Sequence, residues 1–185
     1  VDDDAFVLPD APVTPAHPVF VADLGAWSEV FADYELLQPF PQLGQLPGGA
    51  DATYSTGTVT YSLSPPANEL HIGKASGDWS PLLPGHELAI GGIENLNVDL
   101  AAPVYSFGMD FVEPGAAFDS TFEVTLLLRG DEVGSFEFNP PNSVASFFGA
   151  WSDEAFDRVE VREVAGGIDD DVFGLEGQAA QRASH

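Results

Sequence analysis

Apolar and polar positions alternate with a period of two over much of this 185-residue chain. TVTYSLS (58–64) puts Val59, Tyr61 and Leu63 on one face, the signature of a half-buried strand. ELHIG (69–73), ELAIG (87–91) and LNVDL (96–100) are short strand-like runs. VYSFGMDFV (104–112) sets Val104, Ser106, Gly108, Asp110 and Val112 on one face and Tyr105, Phe107, Met109 and Phe111 on the other. FEVTLLLRG (122–130) and EVGSFEFN (132–139) flank Gly130–Asp131, a hairpin signal. SVASFFGAW (143–151) follows a Pro-Pro break, and FDRVEVREV (156–164) groups Val159 with Val161 while Arg158, Glu160 and Arg162 face water. IDDDVFGL (168–175) is the last strand. The period becomes helical in DLGAWSEVFAD (23–33), where Asp23 caps the start and Leu24, Trp27, Val30 and Phe31 form one stripe. About ten short strands without alternating helices predict an all-β fold, an antiparallel β-sandwich of the jelly-roll type, with one short helix near the N-terminus. Pro9, Pro12, Pro15 and Pro18 make residues 1–19 an extended arm. The sandwich is expected over 20–176, with a helical or loose tail at 177–185.

Composition narrows the class. At 44% hydrophobic with 14 Phe, the chain has the apolar content of a folded core. It has no Cys, which excludes disulfides and thiolate metal sites. Thirty acidic against five basic side chains give a net charge of −25. Lys74, Arg129, Arg158, Arg162 and Arg182 are too scattered for a phosphate-binding stripe, so no nucleic-acid partner is expected. No apolar run is long enough to span a bilayer, so no membrane insertion is expected, and VDDDAF does not read as a signal peptide. The acid excess suits a medium rich in calcium or salt, where cations relieve self-repulsion.

Three features are candidates for chemistry. Asp169, Asp170 and Asp171 are adjacent carboxylates that repel one another unless a cation or solvent intervenes, and calcium takes six to eight oxygens of this kind. Solvated charge at a strand end is the plainer reading. Asp2, Asp3 and Asp4 are either a solvated terminus or carboxylates offered to calcium where subunits associate through the arm. Trp79 beside Asp78, and Trp151 near Asp153, sit in loop-like sequence, where an exposed ring packs on a sugar and the acid binds hydroxyls. The alternative is that each Trp plugs one end of the fold. His71 and His86 make a poor zinc pair. No nucleophile elbow is present, and no single carboxylate pair stands out for glycoside hydrolysis.

Taken in chain order, PVYSFGMDF, FEVTLLLRGDEVGSFEF, FFGAWSDEAFDRVEV and GIDDDVFG, preceded by LGAWSEVFADYELLQPF and LLPGHELAIGGIENLNV, resemble the ectodomains of secreted bacterial proteins that carry PEP-CTERM sorting tails. The resemblance covers about residues 20–175. It implies an extracytoplasmic jelly roll related in architecture to carbohydrate-binding modules, exported as a surface or matrix component without assigned catalysis. It also implies a structural calcium joining Glu35 to Asp169, with Asp170 or Asp171 adding an oxygen. Two departures stand out. The sorting signal is absent, so anchoring is not expected, and Asp171 replaces the Phe usual in the pattern.

The expectation is therefore a secreted, non-catalytic structural or adhesive protein of the cell surface or extracellular matrix. It binds calcium as a structural ion and self-associates through its N-terminal arm. A carbohydrate-binding module recognising polysaccharide is the alternative, and a glycan-acting hydrolase the third reading.

Overall fold

The computed structural model describes residues 19–21, 35–36, 53–64, 69–73, 82–83, 87–92, 95–113, 119–167 and 169–182; for the strands near both termini it gives the backbone path and pairing. These residues contain eleven strands and no helix: β1 (Val19–Val21), β2 (Glu35–Leu36), β3 (Thr53–Ser55), β4 (Val59–Leu63), β5 (Glu69–Gly73), β6 (Glu87–Gly92), β7 (Asn95–Val112), β8 (Thr121–Leu128), β9 (Asp131–Phe138), β10 (Ser146–Ala165) and β11 (Asp169–Arg182). Every pairing is antiparallel. The expected helix at 23–33 and the arm at 1–19 lie almost wholly outside the described residues.

Two long strands organise the fold. β7 has 18 residues and β10 has 20. Sequence alternation predicts two shorter strands in place of each, because Ala101, Ala102 and Pro103 interrupt one and the Ser152–Ala155 stretch interrupts the other. The structure runs through both interruptions as continuous strands, which change partners there. β4 pairs with β7 as far as Leu100, and β11 pairs with it from Val104, so Pro103, which has no N–H to give, stands between the two ladders. On β10 the register against β7 shifts between Trp151 and Phe156, as expected where a bulge bends a strand. On one side of this changeover the order is β3-β4-β7-β10-β8-β9; on the other it is β5-β6-β11-β7-β10-β1, with β2 beside the far end of β11.

Both sides contribute to one core. Val59, Tyr61, Leu96, Val98, Phe122, Val124, Leu126, Val159 and Val161 come from the first side, and Leu70, Leu88, Ile90, Phe107, Met109, Phe111 and Phe148 from the second. The buried positions of β4 and β8 follow the two-residue period. Aromatic rings form its centre: Phe111 meets Phe122 edge-on at 5.2 Å, and Phe138 stacks on both Phe122 and Phe148 at 5.4 Å.

β7 departs from simple alternation. Residues 106–109, 111 and 112 are all buried, so residues of both faces are covered. Val112 joins Leu83 and Ala89 in a second small cluster. The ring of Phe147 occupies the space where a Cβ on Gly108 would stand, so only glycine fits under it.

Two further details differ from expectation. The β8–β9 turn is Arg129–Gly130, with φ of 55° and 91°, the paired positive angles of a type I′ hairpin, and Leu128 pairs with Asp131. The segment expected as a tail is strand up to Arg182: Ala179 lies opposite Leu36 on one side and Gly108 on the other. Its small residues Ala179 and Ala180 face strand partners rather than a helical stripe, and pairing on both sides overrides the helix preference of alanine.

Candidate functional site

Three places bring chemistry-bearing side chains together. The first is on β4, β7 and β10. The Arg162 guanidinium donates from Nη1 to the carbonyls of Leu96 (2.8 Å) and Val161 (2.9 Å), and from Nη2 to Ser64 Oγ (3.2 Å) and to Asn97 Oδ1. It also pairs with Glu160 at 2.9 Å. Arg158 joins the other oxygen of Glu160 at 2.8 Å and Asp99 at 3.1 Å. Asn97, itself buried, donates from Nδ2 to Ser62 Oγ and Ser64 Oγ. Burial lowers the pKa of Arg162 and Arg158 adds to the lowering, while Glu160 pulls the other way. Alternation along β10 turns Arg158, Glu160 and Arg162 toward water. The structure corrects this: all three are half-buried, because the register sets Arg158, Glu160 and Arg162 beside Asp99, Asn97 and Asn95 of β7. This is a polar ladder that ties three strands together, with its donors aimed at its own acceptors.

The second place holds acids in the other half of the sheet. Gly174 of β11 pairs with Glu87 on one side and with Asp110 on the other, so a glycine is the residue between two acidic ones. Glu87 is fully buried and Asp110 half-buried. Desolvation raises the Asp110 carboxyl above its ordinary value, and its lateral neighbours Gly174 and Phe147 bring no charge to offset that. A raised folded-state value means that stability is full below the ordinary carboxylate range and falls as pH rises through the folded value. Asp110→Asn is therefore expected to raise the urea midpoint at neutral pH, with the gain disappearing in acid below the carboxylate range. A variant less stable than wild type at neutral pH would show that the charged form is favoured in the fold.

The third is the acidic surface. Asp119, Asp131, Glu132, Glu137, Asp153 and Glu154 are exposed. At the end of β7, Glu113 is buried and its Oε1 accepts the Ser120 N–H at 3.0 Å, while Ser120 Oγ lies 3.3 Å from Glu163.

Of the residues singled out from sequence, Trp151 is half-buried on β10 opposite Ser106 and Val19, with Asp153 exposed two residues on. Between them Ser152 is buried, and its Oγ accepts the Glu154 N–H at 3.1 Å. Asp78 and Trp79 lie outside the described residues, as do Asp2, Asp3 and Asp4. Asp169, Asp170 and Asp171 begin β11 opposite Gly92, Gly91 and Ile90. Glu35 lies opposite Ala180, near the other end of the same strand. Ala180 is nine residues along β11 from Asp171, so the register sets Glu35 and the Asp run at opposite ends of that strand. Among the described side chains, which do not include those of the Asp run, no group of three or more His, Asp or Glu is placed to hold a metal ion. Sequence patterning does not single out Glu87 or Asn97. Their one signal is a polar residue at a core position of a strand, and it becomes visible only once the register is known.

A family model described as a domain of unknown function, DUF4132, matches residues 1–46, about a quarter of the chain. No curated protein matches. Among solved structures, the enzymatically active domain of bacteriophage CBA120 tailspike protein 4 is similar with a TM-score of 0.38 and 13% identity, over 67% of this chain and 19% of that one. The chain thus spans about a fifth of that tailspike's length, at a score too low to define a common fold. Among the described residues no helix is long and apolar enough to cross a membrane.

Proposed function

We propose that the chain is a non-catalytic structural or adhesive module of the cell surface or extracellular matrix, its two sheet halves stacked as a jelly-roll β-sandwich. The observation that carries this reading is the division of labour within the fold. β7 and β10 run through both halves and link the pairings of eleven strands, while acids such as Asp131, Glu132, Glu137, Asp153 and Glu154 stand outside on that frame. A stiff scaffold with an anionic exterior suits cation-dependent association in a calcium-rich medium. In this reading the Asp169–Asp171 run is the calcium ligand set, and the N-terminal arm with Asp2, Asp3 and Asp4 links neighbouring copies.

Thermal unfolding and sedimentation, at low salt with calcium and then with chelator, test the proposal. Calcium held at a hundred times its dissociation constant is expected to stabilise the fold by about 2.7 kcal/mol and to shift the protein to larger species. Superimposable melting curves would remove calcium, and a monomer under both conditions would remove self-association.

A specific observation keeps glycan binding as a second reading. Trp151 is half-buried on β10 and Asp153, two residues on, is exposed, and an aromatic ring near a carboxylate is the pairing that a pyranose needs.

A further inference from the structure

We propose that the outer edge of β9 takes up an extended peptide of another protein as an added strand, one in which basic and apolar residues alternate. β9 stands last in the strand order, and among the described residues it pairs with β8 alone. It has eight residues, whereas β1, β2, β3 and β5, which also pair on one side among the described residues, have three, two, three and five. Alternate residues of an antiparallel strand turn their N–H and C=O groups away from the neighbour they pair with, so this edge offers a row of donors and acceptors. Gly134 lies opposite Leu126 and Glu132 opposite Leu127, which makes Val133 an extra residue and leaves a regular ladder from Gly134 to Phe138. Ser135 and Glu137, on the outer face of that stretch, are exposed.

Charge selects the partner. The β8–β9 hairpin carries the carboxylates of Glu123, Asp131, Glu132 and Glu137, and its one cation, Arg129, is in the turn. Glu137 lies directly opposite Glu123, and like charges so placed repel. Arg162 lies opposite Glu123 on the other side, but its guanidinium donates to Leu96, Val161, Ser64 and Asn97 and pairs with Glu160. Neither Glu123 nor Glu137 makes an ion pair with a described residue. A lysine or arginine set beside Glu137 by an added strand relieves this repulsion from the open side.

The residues on either side of that cation turn to the other face of the sheet. There Phe136 is half-buried and packs at the margin of the core, so apolar side chains extend its cover. Main-chain hydrogen bonds hold an added strand, and its alternate side chains give the selection. A second copy of this chain fits poorly, because it carries −25 and would set β9 acids against β9 acids. The edge needs neither calcium nor the N-terminal arm, and it shares no residue with the Trp151 reading.

Amide chemical-shift titration of the intact chain, with chelator present, tests the proposal. The probes are a short peptide alternating lysine and valine, the same residues with the lysines gathered at one end, the alternating peptide with its main-chain nitrogens methylated, and a version with glutamate for lysine. The expected result is saturable shifts and slowed amide exchange along Gly134–Phe138 with the alternating peptide. Affinity should fall about tenfold or more for each of the other peptides and for Glu137→Lys, at about 1.4 kcal/mol per factor of ten. Glu137 is exposed, so the variant should keep the wild-type circular-dichroism spectrum. Equal affinity for the gathered or methylated peptide would overturn strand addition, and equal affinity for the glutamate peptide would overturn the charge selection. Shifts spread to distant acids such as Asp153 and Glu154, or no saturable shift at all, would overturn the site. Shifts along β9 that follow protein concentration without peptide would make a second copy the occupant and overturn the proposal as well.

Discussion

Phe111→Ala should lower the stability of the protein by about 3–5 kcal/mol, which is a large share of the roughly 5–15 kcal/mol that holds a domain folded. Phe111 is completely buried near the end of β7. Its ring meets Phe122 at 5.2 Å and Phe138 at 6.0 Å, both edge-on, so truncation forfeits two aromatic contacts as well as buried area. The neighbours cannot easily collapse into the space, because Phe122 and Phe138 are themselves stacked and β7 is paired on both sides with β10 and β11. Urea denaturation would read the effect as a lower midpoint at unchanged slope. Phe136, half-buried on β9 at the margin of the core, is the comparison, and its alanine variant should lose much less. Equal losses at the two positions would mean that the aromatic centre has been misplaced.

Arg162→Ala is expected to cost about 2–3 kcal/mol, the range for losing hydrogen bonds to a charged group and leaving their partners short. The cost follows from what the guanidinium serves. Two main-chain carbonyls, Ser64, Asn97 and Glu160 all converge on it, and Asn97 is only 4% exposed. Arg162→Lys should recover little of this, since an ammonium cannot span the fork of acceptors. Arg158→Ala is the control. Its pair with Asp99 has side-chain exposures of 32% and 42%, against 21% and 24% for Arg162 with Glu160, so solvent screens it and its loss should stay below about 1 kcal/mol. High salt should weaken the Arg158 contribution more than that of Arg162. If both variants lose the same amount and salt abolishes both, the ladder is a surface feature and Arg162 does not anchor it.

The acidic exterior makes ionic conditions part of both measurements. The exposed acids repel one another at low salt, and both variants should be compared at matched ionic strength so that this common term cancels.

How much of the fold is legible in the sequence depends on the range over which each signal acts. Val59 and Tyr61 on β4, and Phe122, Val124 and Leu126 on β8, alternate because successive side chains leave a strand on opposite faces; that is a local rule, and the structure obeys it. The β8–β9 hairpin is readable for the same reason, displaced by one residue because Arg129 accepts a positive φ alongside Gly130. The antiparallel all-β character follows from many such runs with turn residues between them. Alternation also reports only one covered face, so it cannot show that β7 is packed on both sides around Gly108 and Phe147. Nor can it join Asn95–Leu100 to Val104–Val112 across Pro103, since the continuity of β7 is decided by which neighbours pair on either side of that residue.

The same limit applies to the chemistry. The sequence by itself determined the excess of negative charge, the aromatic content of the core and the alternating runs, because each is a property of composition or of neighbours along the chain. Only the tertiary structure decided that Arg162 meets Ser64 and Asn97, that Gly174 lies between Glu87 and Asp110, and that Glu35 and the Asp169–Asp171 run stand at opposite ends of β11. Each of these depends on the register between strands far apart in sequence, and a shift of one residue would send every one of those side chains to the other face of the sheet.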